Sequence, residues 1–189
     1  MRFNSDQIQK IGKEISSKVD GKTLFDEFSR GRYSTDASVY QIKPLGVVLP
    51  KDTNDVLSLM EYSQKNSVPL LARGGGSSQC GQTVGESVVL DYSKHQNKIL
   101  ELNVEEKYVW VQPGVVLDHL NAYLKPHGLW FPVDVSTSSR ATIGGMSANN
   151  SCGSRSLYYG NMVHNVLAIE AILDDGSIFN FDQINKNYL

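Results

Sequence analysis

The chain opens with apolar residues at helical spacing. They stand three or four positions apart after a polar Ser-Asp pair, which predicts an amphipathic helix. A second short helix is predicted over residues 23–29, before a break at Gly31. Residues 1–32 are therefore interpreted as a helical leader segment packed on the following domain. The apolar positions of the first helix are Ile8, Ile11, Ile15 and Val19.

Further along, short apolar runs alternate with helical periodicity. Gly46–Leu49 and Leu70–Arg73 are predicted strands, and Thr53–Asn66 between them is a predicted helix, so the three form a small βαβ unit. A helix is also predicted over residues 115–124. The order of elements predicts an α+β fold class. Other predicted strands cover residues 88–91, 98–102 and 108–112, and a hairpin joins residues 166–173 to 177–181 across Asp174-Asp175-Gly176.

Three consecutive glycines follow the strand Leu70–Arg73, within Arg-Gly-Gly-Gly-Ser-Ser-Gln-Cys-Gly-Gln. Glycines permit positive φ, and their exposed amides are suited to an anion such as pyrophosphate. A dinucleotide-type G-x-G-x-x-G read from Gly74 fails at Gln79, and a P-loop read from Gly76 fails at Gln82. A glycine-rich turn without a ligand stays open as the alternative.

A second glycine-containing stretch covers residues 132–153. Small residues, hydroxyls and amides crowd together there with little charge, which is typical of a chain wrapped against a large polar ligand. Residues 158–161, Tyr-Tyr-Gly-Asn, follow shortly after. The two stretches together favour a phosphate-bearing cofactor.

These motifs resemble the FAD-binding domain of the vanillyl-alcohol-oxidase/PCMH superfamily, and its D-lactate and glycolate dehydrogenase-like branch in particular. The resemblance runs over residues 33–181 through five ordered motifs, which include the two glycine-containing stretches and Val-Gln-Pro-Gly-Val at residues 111–115. It implies a PCMH-type fold with two α/β subdomains clasping FAD between them, one around the first βαβ unit and one a larger antiparallel sheet with helices. It also implies that residues 33–189 form this domain, C-terminally incomplete and without its substrate domain.

The resemblance further implies which residues hold the cofactor. Amides of residues 74–78 are expected to bind the pyrophosphate, and the stretch around residue 140 is expected to wrap FAD from the other subdomain. Some relatives carry a histidine where this chain has Ser77 and Ser78, so the FAD is expected to be noncovalent. For Arg73, an ion pair with Asp91 stays open as an equal alternative. The expected set is Arg73, Gly74, Gly75, Gly76, Ser77, Ser78, Gln79, Gly81, Gln82, Pro113, Gly114, Pro132, Ser136, Ala141, Thr142, Gly144, Gly145, Asn149, Ser151 and Cys152.

Composition excludes several classes of function. A net charge of −2 supplies no basic field for nucleic acid, and no apolar run is long enough for a membrane span. With no apolar signal core near the N-terminus, a cytoplasmic protein is expected. Cys80 and Cys152 are interpreted as reduced thiols serving as small packing residues, with a disulfide between the loops left open. The four histidines are isolated, and no zinc-ligand spacing is present, so no metal is expected.

The resemblance implies the FAD-binding portion of a flavin-dependent oxidoreductase. Its substrate is expected to be a small D-2-hydroxy acid such as D-lactate, glycolate or D-2-hydroxyglutarate, gripped mainly by the missing domain. The electron acceptor is expected to be a protein or a quinone, and no catalytic base is assigned in the chain. The alternatives are an alkyl-glycerone-phosphate synthase-like flavoprotein and a fragment inactive alone. A P-loop hydrolase is opposed by Gln82.

Overall fold

The computed structural model describes residues 3–182. Its first half is built on a four-stranded sheet with the order β1-β2-β4-β3. The strand β1 pairs antiparallel with β2, whereas β2 and β3 both pair parallel with β4. The helix α3 thus connects two parallel strands that have β4 between them. The elements here are α1 (Ser5–Ser16), β1 (Lys22–Leu24), α2 (Glu27–Arg32), β2 (Gly46–Leu49), α3 (Thr53–Asn66), β3 (Leu70–Arg73) and β4 (Val88–Asp91).

The second half consists of two hairpins and short helices. The hairpins are antiparallel, and neither is hydrogen-bonded to the other within residues 3–182. The elements are β5 (Ile99–Asn103), β6 (Tyr108–Val111), α4 (Leu117–Leu124), α5 (Ile143–Ala148), α6 (Ser156–Tyr159), α7 (Met162–Asn165), β7 (Ala168–Ile172) and β8 (Ile178–Asp182). A single 3-10 turn, Lys125–His127, extends α4.

The buried apolar side chains of residues 3–182 form four clusters, two around the first sheet and two in the second half. In the main cluster of the first half, α1 and α3 pack on one face of the sheet, where Ile15, Leu59 and Val48 are each at most 1% exposed. In the main cluster of the second half, Leu117, Met146 and Met162 join helices α4, α5 and α7. Full burial of such a side chain stabilises the fold by about 1.5–3 kcal/mol. The predicted α+β class and its two subdomains are confirmed.

The predicted bounds of β2, α3, β3 and β4 agree with the structure, and the predictions differ from it in two other places. Residues 23–29 were predicted as one helix, but β1 begins at Lys22 and α2 only at Glu27, with Gly31 inside α2. Asp26 explains the late start, because its side chain accepts a hydrogen bond from the Ser29 amide as an N-cap. Because β1 pairs with β2, the segment interpreted as a leader contributes a strand to the main sheet.

The second difference concerns the antiparallel sheet expected in the second subdomain. In the described part of the chain there are two separate hairpins in place of one sheet, because each hairpin packs against a different apolar cluster. Apolar side chains of β5 and β6 pack against α4. By contrast, Ile172 of β7 packs against the main cluster of the first half, and the Gln64 side chain of α3 donates to the Asp174 carbonyl at the turn.

Candidate functional site

The first glycine loop, residues 74–82, leaves the carboxyl end of β3. Of its three leading glycines, only Gly76 has positive φ, at 63°, and Gly81 has φ 78° further on. The expectation that the glycine run as a whole serves positive φ is therefore wrong for Gly74 and Gly75. Both are required for a different reason. A Cβ on Gly74 would overlap with the Thr142 side chain, and one on Gly75 would overlap with the Arg140 carbonyl.

These close approaches bring the first glycine loop against the second glycine segment, residues 132–153. A hydrogen-bonded chain of side chains also joins them. The Ser78 hydroxyl donates to Gln82 Oε1 over 2.6 Å, and Gln82 Nε2 donates to Asn149 Oδ1 over 2.6 Å. The Asn149 amide nitrogen then donates to the Gly145 carbonyl over 2.8 Å. The tertiary structure thus places together two stretches that lie about 60 residues apart in the sequence.

The backbone of the first glycine loop is free to bind an anion. From Gly74 to Gln79, no amide donates to a protein acceptor among residues 3–182. All six residues are exposed or half-buried, so none of them lies in the packed interior. A run of such amides is the arrangement that binds phosphate oxygens in proteins. The residues present therefore fit the pyrophosphate of a dinucleotide cofactor.

The second glycine segment is different, because most of its amides already have partners. Thr142 caps α5, and its Oγ1 accepts a hydrogen bond from the Gly145 amide over 3.4 Å. The Gly144 amide donates to the Pro113 carbonyl over 2.9 Å, and a Cβ on Gly144 would lie 2.5 Å from Pro113 Cβ. Gly114 is itself buried, and a Cβ there would overlap with the Tyr92 carbonyl. Gly114 therefore packs against backbone rather than lining an open surface.

The predicted site residues are thus divided between accessible and buried positions. Gly75, Gln79, Gln82, Pro113, Ser136, Asn149 and Cys152 are exposed. Arg73, Gly74, Gly76, Ser77, Ser78, Gly81, Pro132, Gly144, Gly145 and Ser151 are half-buried. Gly114, Ala141 and Thr142 are buried and act through their backbones and packing.

Arg73 does not form the ion pair with Asp91 that the sequence left open. Its guanidinium donates to the carbonyls of Thr35, Thr83 and Tyr33 over 2.8, 3.1 and 3.4 Å. Asp91 instead accepts a hydrogen bond from the Tyr33 hydroxyl over 2.6 Å. Burial, with the Asp91 carboxylate beside it, raises the pKa of Tyr33 well above its ordinary value. The phenol is therefore a stable donor at neutral pH.

Segment 33–40 also borders the first glycine loop, and its residues were not among the predicted site residues. The Ala37 amide donates to the Gly76 carbonyl over 3.2 Å, and the Tyr40 ring packs directly on Gly81. Thr83 Oγ1 donates to the Asp36 carboxylate over 2.8 Å. Hydrogen bonds from Ser38 and Thr83 outweigh the effect of burial and lower the pKa of Asp36. No local pattern signals these contacts, because about 40 residues separate the partners.

The cysteines and histidines lie outside the packed interior. Cys80 and Cys152 are free thiols on the surface, so their interpretation as packing residues is wrong. All four histidines are exposed, as the sequence predicts, and His164 Nδ1 accepts a hydrogen bond from the Asn161 amide over 3.1 Å. No group of three or more metal-ligating side chains occurs within residues 3–182. None of the helices in that range is both long and apolar enough to cross a bilayer.

Asp134 holds the end of the second glycine segment in place. Its carboxylate accepts hydrogen bonds from the Arg155 amide over 3.0 Å and from the Ser154 hydroxyl over 2.7 Å, and these lower its pKa. The Arg155 guanidinium also lies 5.0 Å from the centre of the Trp130 ring.

A separate open cavity of about 410 Å³, bordered by α7 and the β7–β8 hairpin, contains none of the predicted site residues.

Several proteins are similar to this chain in sequence. D-2-hydroxyglutarate dehydrogenase of Haemophilus influenzae is 42% identical over 81% of this chain, which covers 15% of that protein. Glycolate oxidase subunit GlcD of Bacillus subtilis is 37% identical over 90% of this chain, covering 37% of its own length. D-lactate dehydrogenase [cytochrome] of Kluyveromyces lactis is 40% identical over 72% of this chain and 24% of its own. The chain therefore spans well under half of each relative.

Solved structures share the fold. Physcomitrella patens BBE-like 1 aligns with a TM-score of 0.78 at 19% identity, over 90% of this chain and 37% of that one. An alkyldihydroxyacetonephosphate synthase aligns with a TM-score of 0.77 at 20% identity, over 98% of this chain and 36% of that one. At these identities the likeness establishes the fold alone. Residues 44–182 match the FAD binding domain, which is well over half of the chain, so this protein belongs to the PCMH-type FAD-binding family and FAD is its cofactor.

Proposed function

We propose that the chain is the FAD-binding portion of a flavin-dependent oxidoreductase that acts on a small D-2-hydroxy acid. The observation that carries the proposal is the run of amides from Gly74 to Gln79, which have no acceptor among the described residues, at a loop that meets a second glycine segment. The names of the relatives support the substrate class, because they include dehydrogenases of D-2-hydroxyglutarate and D-lactate and a glycolate oxidase subunit. D-Lactate, glycolate and D-2-hydroxyglutarate are accordingly the first substrates to test.

The residues of the chain bind and orient the cofactor in this proposal. Amides of residues 74–78 hold the pyrophosphate, and the hydroxyls of Ser77 and Ser78 add hydrogen bonds. Residues 79–82 continue along the flavin side, and the second glycine segment forms the opposite wall. The FAD is held without a covalent bond, since serines occupy positions 77 and 78. The wall residues are Pro132, Ser136, Ala141, Thr142, Gly144, Gly145, Asn149, Ser151 and Cys152, with Pro113 and Gly114 behind them.

When bound, FAD supplies the acceptor for the hydride that leaves the hydroxyl-bearing carbon. Binding of the acid and removal of its hydroxyl proton require groups held against that carbon. We place those groups in the remaining length of the parent protein, of which this chain represents 15–37% by the relatives' lengths. A protein or a quinone takes the electrons onward. The cytoplasm is the proposed location, because a reducing compartment suits two exposed thiols.

Cofactor titration tests the binding part of the proposal. Saturating FAD is expected to raise the melting temperature of the purified chain, and FMN is expected to raise it less because it lacks the adenylate. No shift with saturating FAD would contradict the proposal. Acid precipitation distinguishes the mode of attachment. Flavin is expected in the supernatant, and flavin that stays in the pellet would refute noncovalent binding.

Flavin bleaching under anaerobic conditions tests the catalytic part. The parent protein is expected to lose visible flavin absorbance with at least one of D-lactate, glycolate and D-2-hydroxyglutarate. The 189-residue chain loaded with FAD is expected to keep it. If the parent bleaches with none of the three acids, the substrate class is wrong. Rapid bleaching of the 189-residue chain would place catalytic groups within it, with Arg155, Tyr158 and His164 the first to examine.

A further inference from the structure

Arg73 holds together both ends of the first glycine loop. It is the residue directly before the loop, and its guanidinium donates to the carbonyl of Thr83, the residue directly after it. The same guanidinium donates to Thr35 and Tyr33 in segment 33–40 and lies 5.3 Å from the centre of the Tyr33 ring. A planar guanidinium makes several such bonds at fixed angles, which a lysine ammonium does not reproduce.

The charge of Arg73 also lies directly behind the loop. A Cβ built on Gly76 would be 2.5 Å from Arg73 Nη2, so the guanidinium is packed against the loop backbone. Its partners are neutral carbonyls, and no ion pair joins it to a carboxylate within 4.0 Å in the described part of the chain. Within residues 3–182 the positive charge of Arg73 is therefore in no ion pair, and it lies beside amides of residues 74–79 that have no protein acceptor there.

We propose that Arg73 is a positioning residue that orders the first glycine loop for an anion without binding the anion itself. This role rests on the FAD-binding function proposed above. Three of the guanidinium's five N–H donors bond carbonyls of the segments that flank the loop, and its charge adds to the field of the amides from behind. Ordering a loop in its bound conformation before the ligand arrives lowers the entropy lost on binding. Arg73 therefore sets cofactor affinity through the shape of the loop.

The test compares two variants. Arg73→Lys keeps the positive charge and loses the planar guanidinium, whereas Arg73→Gln loses both. Arg32→Gln is the matched control, since Arg32 is exposed on α2 and lies over the Phe28 ring, away from the loop. Hydrogen exchange is measured without FAD at the amides of Ala37 and Val84, which donate to the loop carbonyls of Gly76 and Gly81. Both Arg73 variants are expected to exchange there about tenfold faster than the wild type, while Arg32→Gln does not.

FAD affinity supplies the second measurement. Both variants are expected to bind FAD about tenfold more weakly, and Arg73→Gln is also expected to lose much of the salt dependence of binding. The melting temperature without FAD should change little, because Thr35 is exposed and Tyr33 and Thr83 are only half-buried, so water can replace the guanidinium at their carbonyls. A general structural role would lower that temperature and leave the salt dependence unchanged.

Each remaining outcome is decisive. Unchanged exchange in both variants overturns the proposal whatever happens to FAD affinity. Wild-type FAD affinity and exchange in Arg73→Lys would show that charge alone matters, which also overturns it. Unchanged exchange with a large loss of FAD affinity in Arg73→Gln would indicate a direct phosphate contact instead. Faster exchange in the variants of a chain that never binds FAD would keep the positioning role and reject the proposed function.

Discussion

The first glycine loop and the second glycine segment use glycine in different ways. In the first, six consecutive amides from Gly74 to Gln79 lack protein acceptors within residues 3–182. In the second, the amides around Thr142 are bonded within the protein, including those of Ala141, Ile143 and Gly144. The first glycine loop therefore has amides available to donate to a ligand. The second glycine segment is held rigid by hydrogen bonds within the protein. Glycine content alone does not distinguish them.

The difference shows that two glycines of the first glycine loop are required for close contact with the second glycine segment. Gly74 and Gly75 lack a Cβ because Thr142 and Arg140 occupy that space, whereas Gly76 provides the positive φ that turns the chain. Variants that change a contact at one glycine and leave the backbone turn at Gly76 in place therefore test this difference.

The largest effect is expected at Gly75. In Gly75→Val the added side chain would overlap with the Arg140 carbonyl, which is backbone and cannot rotate away. We expect FAD affinity to fall about 100-fold, equivalent to roughly 3 kcal/mol, as measured by fluorescence titration. Gly31→Ala is the control, since a Cβ there meets nothing within 4 Å. Equal losses in the two variants would remove the special role of the contact between the loops.

A second prediction concerns Tyr92, whose carbonyl packs on Gly114 next to the second glycine segment. Burial raises the pKa of Tyr92 to about 12, whereas an unfolded tyrosine ionises near pH 10. The folded state thus retains the proton more tightly, and the free energy of unfolding should fall between about pH 10 and 12, by about 2 kcal/mol. Tyr92→Phe should remove this part of the pH dependence in urea denaturation. An unchanged pH profile would contradict it.

A third prediction tests the rigidity of the wall. Thr142→Ala removes the acceptor that caps α5, so the free energy of unfolding without FAD should fall by about 1 kcal/mol and the melting temperature by about 2–4 °C. Thr142→Ser keeps the hydroxyl and is expected to retain most of the stability. Ser77→Ala in the first glycine loop is expected to change stability by less than about 0.5 kcal/mol. A larger loss in Ser77→Ala than in Thr142→Ala would reverse the comparison.

The smallest effect is expected at the bridge between the two regions. Gln82→Ala removes the bonds to Ser78 and Asn149, all three being exposed or half-buried. Hydrogen bonds near water contribute about 1 kcal/mol, so FAD affinity should fall about threefold to fivefold in the same titration. Gln9→Ala on the exposed face of α1 is the control. An increase in affinity would mean that the bridge holds the two regions too close together.

Local pattern was sufficient for most of the secondary structure. Gly46–Leu49, Thr53–Asn66 and Leu70–Arg73 have the predicted bounds, because each combines a clear period with a turn residue or cap at its ends. The hairpin over residues 168–182 was likewise predicted from Asp174-Asp175-Gly176, and Gly176 has the positive φ of such a turn, 83°. The prediction failed at residues 22–24, where a short strand forms only because β2 offers an edge.

Ordered motifs and periodicity are local properties of the chain, so they were sufficient to identify the family, the cofactor and the segments that carry the candidate site. The contacts of the individual residues became known from the folded structure. It gave Arg73 three carbonyl partners in place of Asp91, and it set Gly75 against Arg140. Such contacts join residues 10 to about 65 positions apart, and they depend on distances that no local pattern encodes.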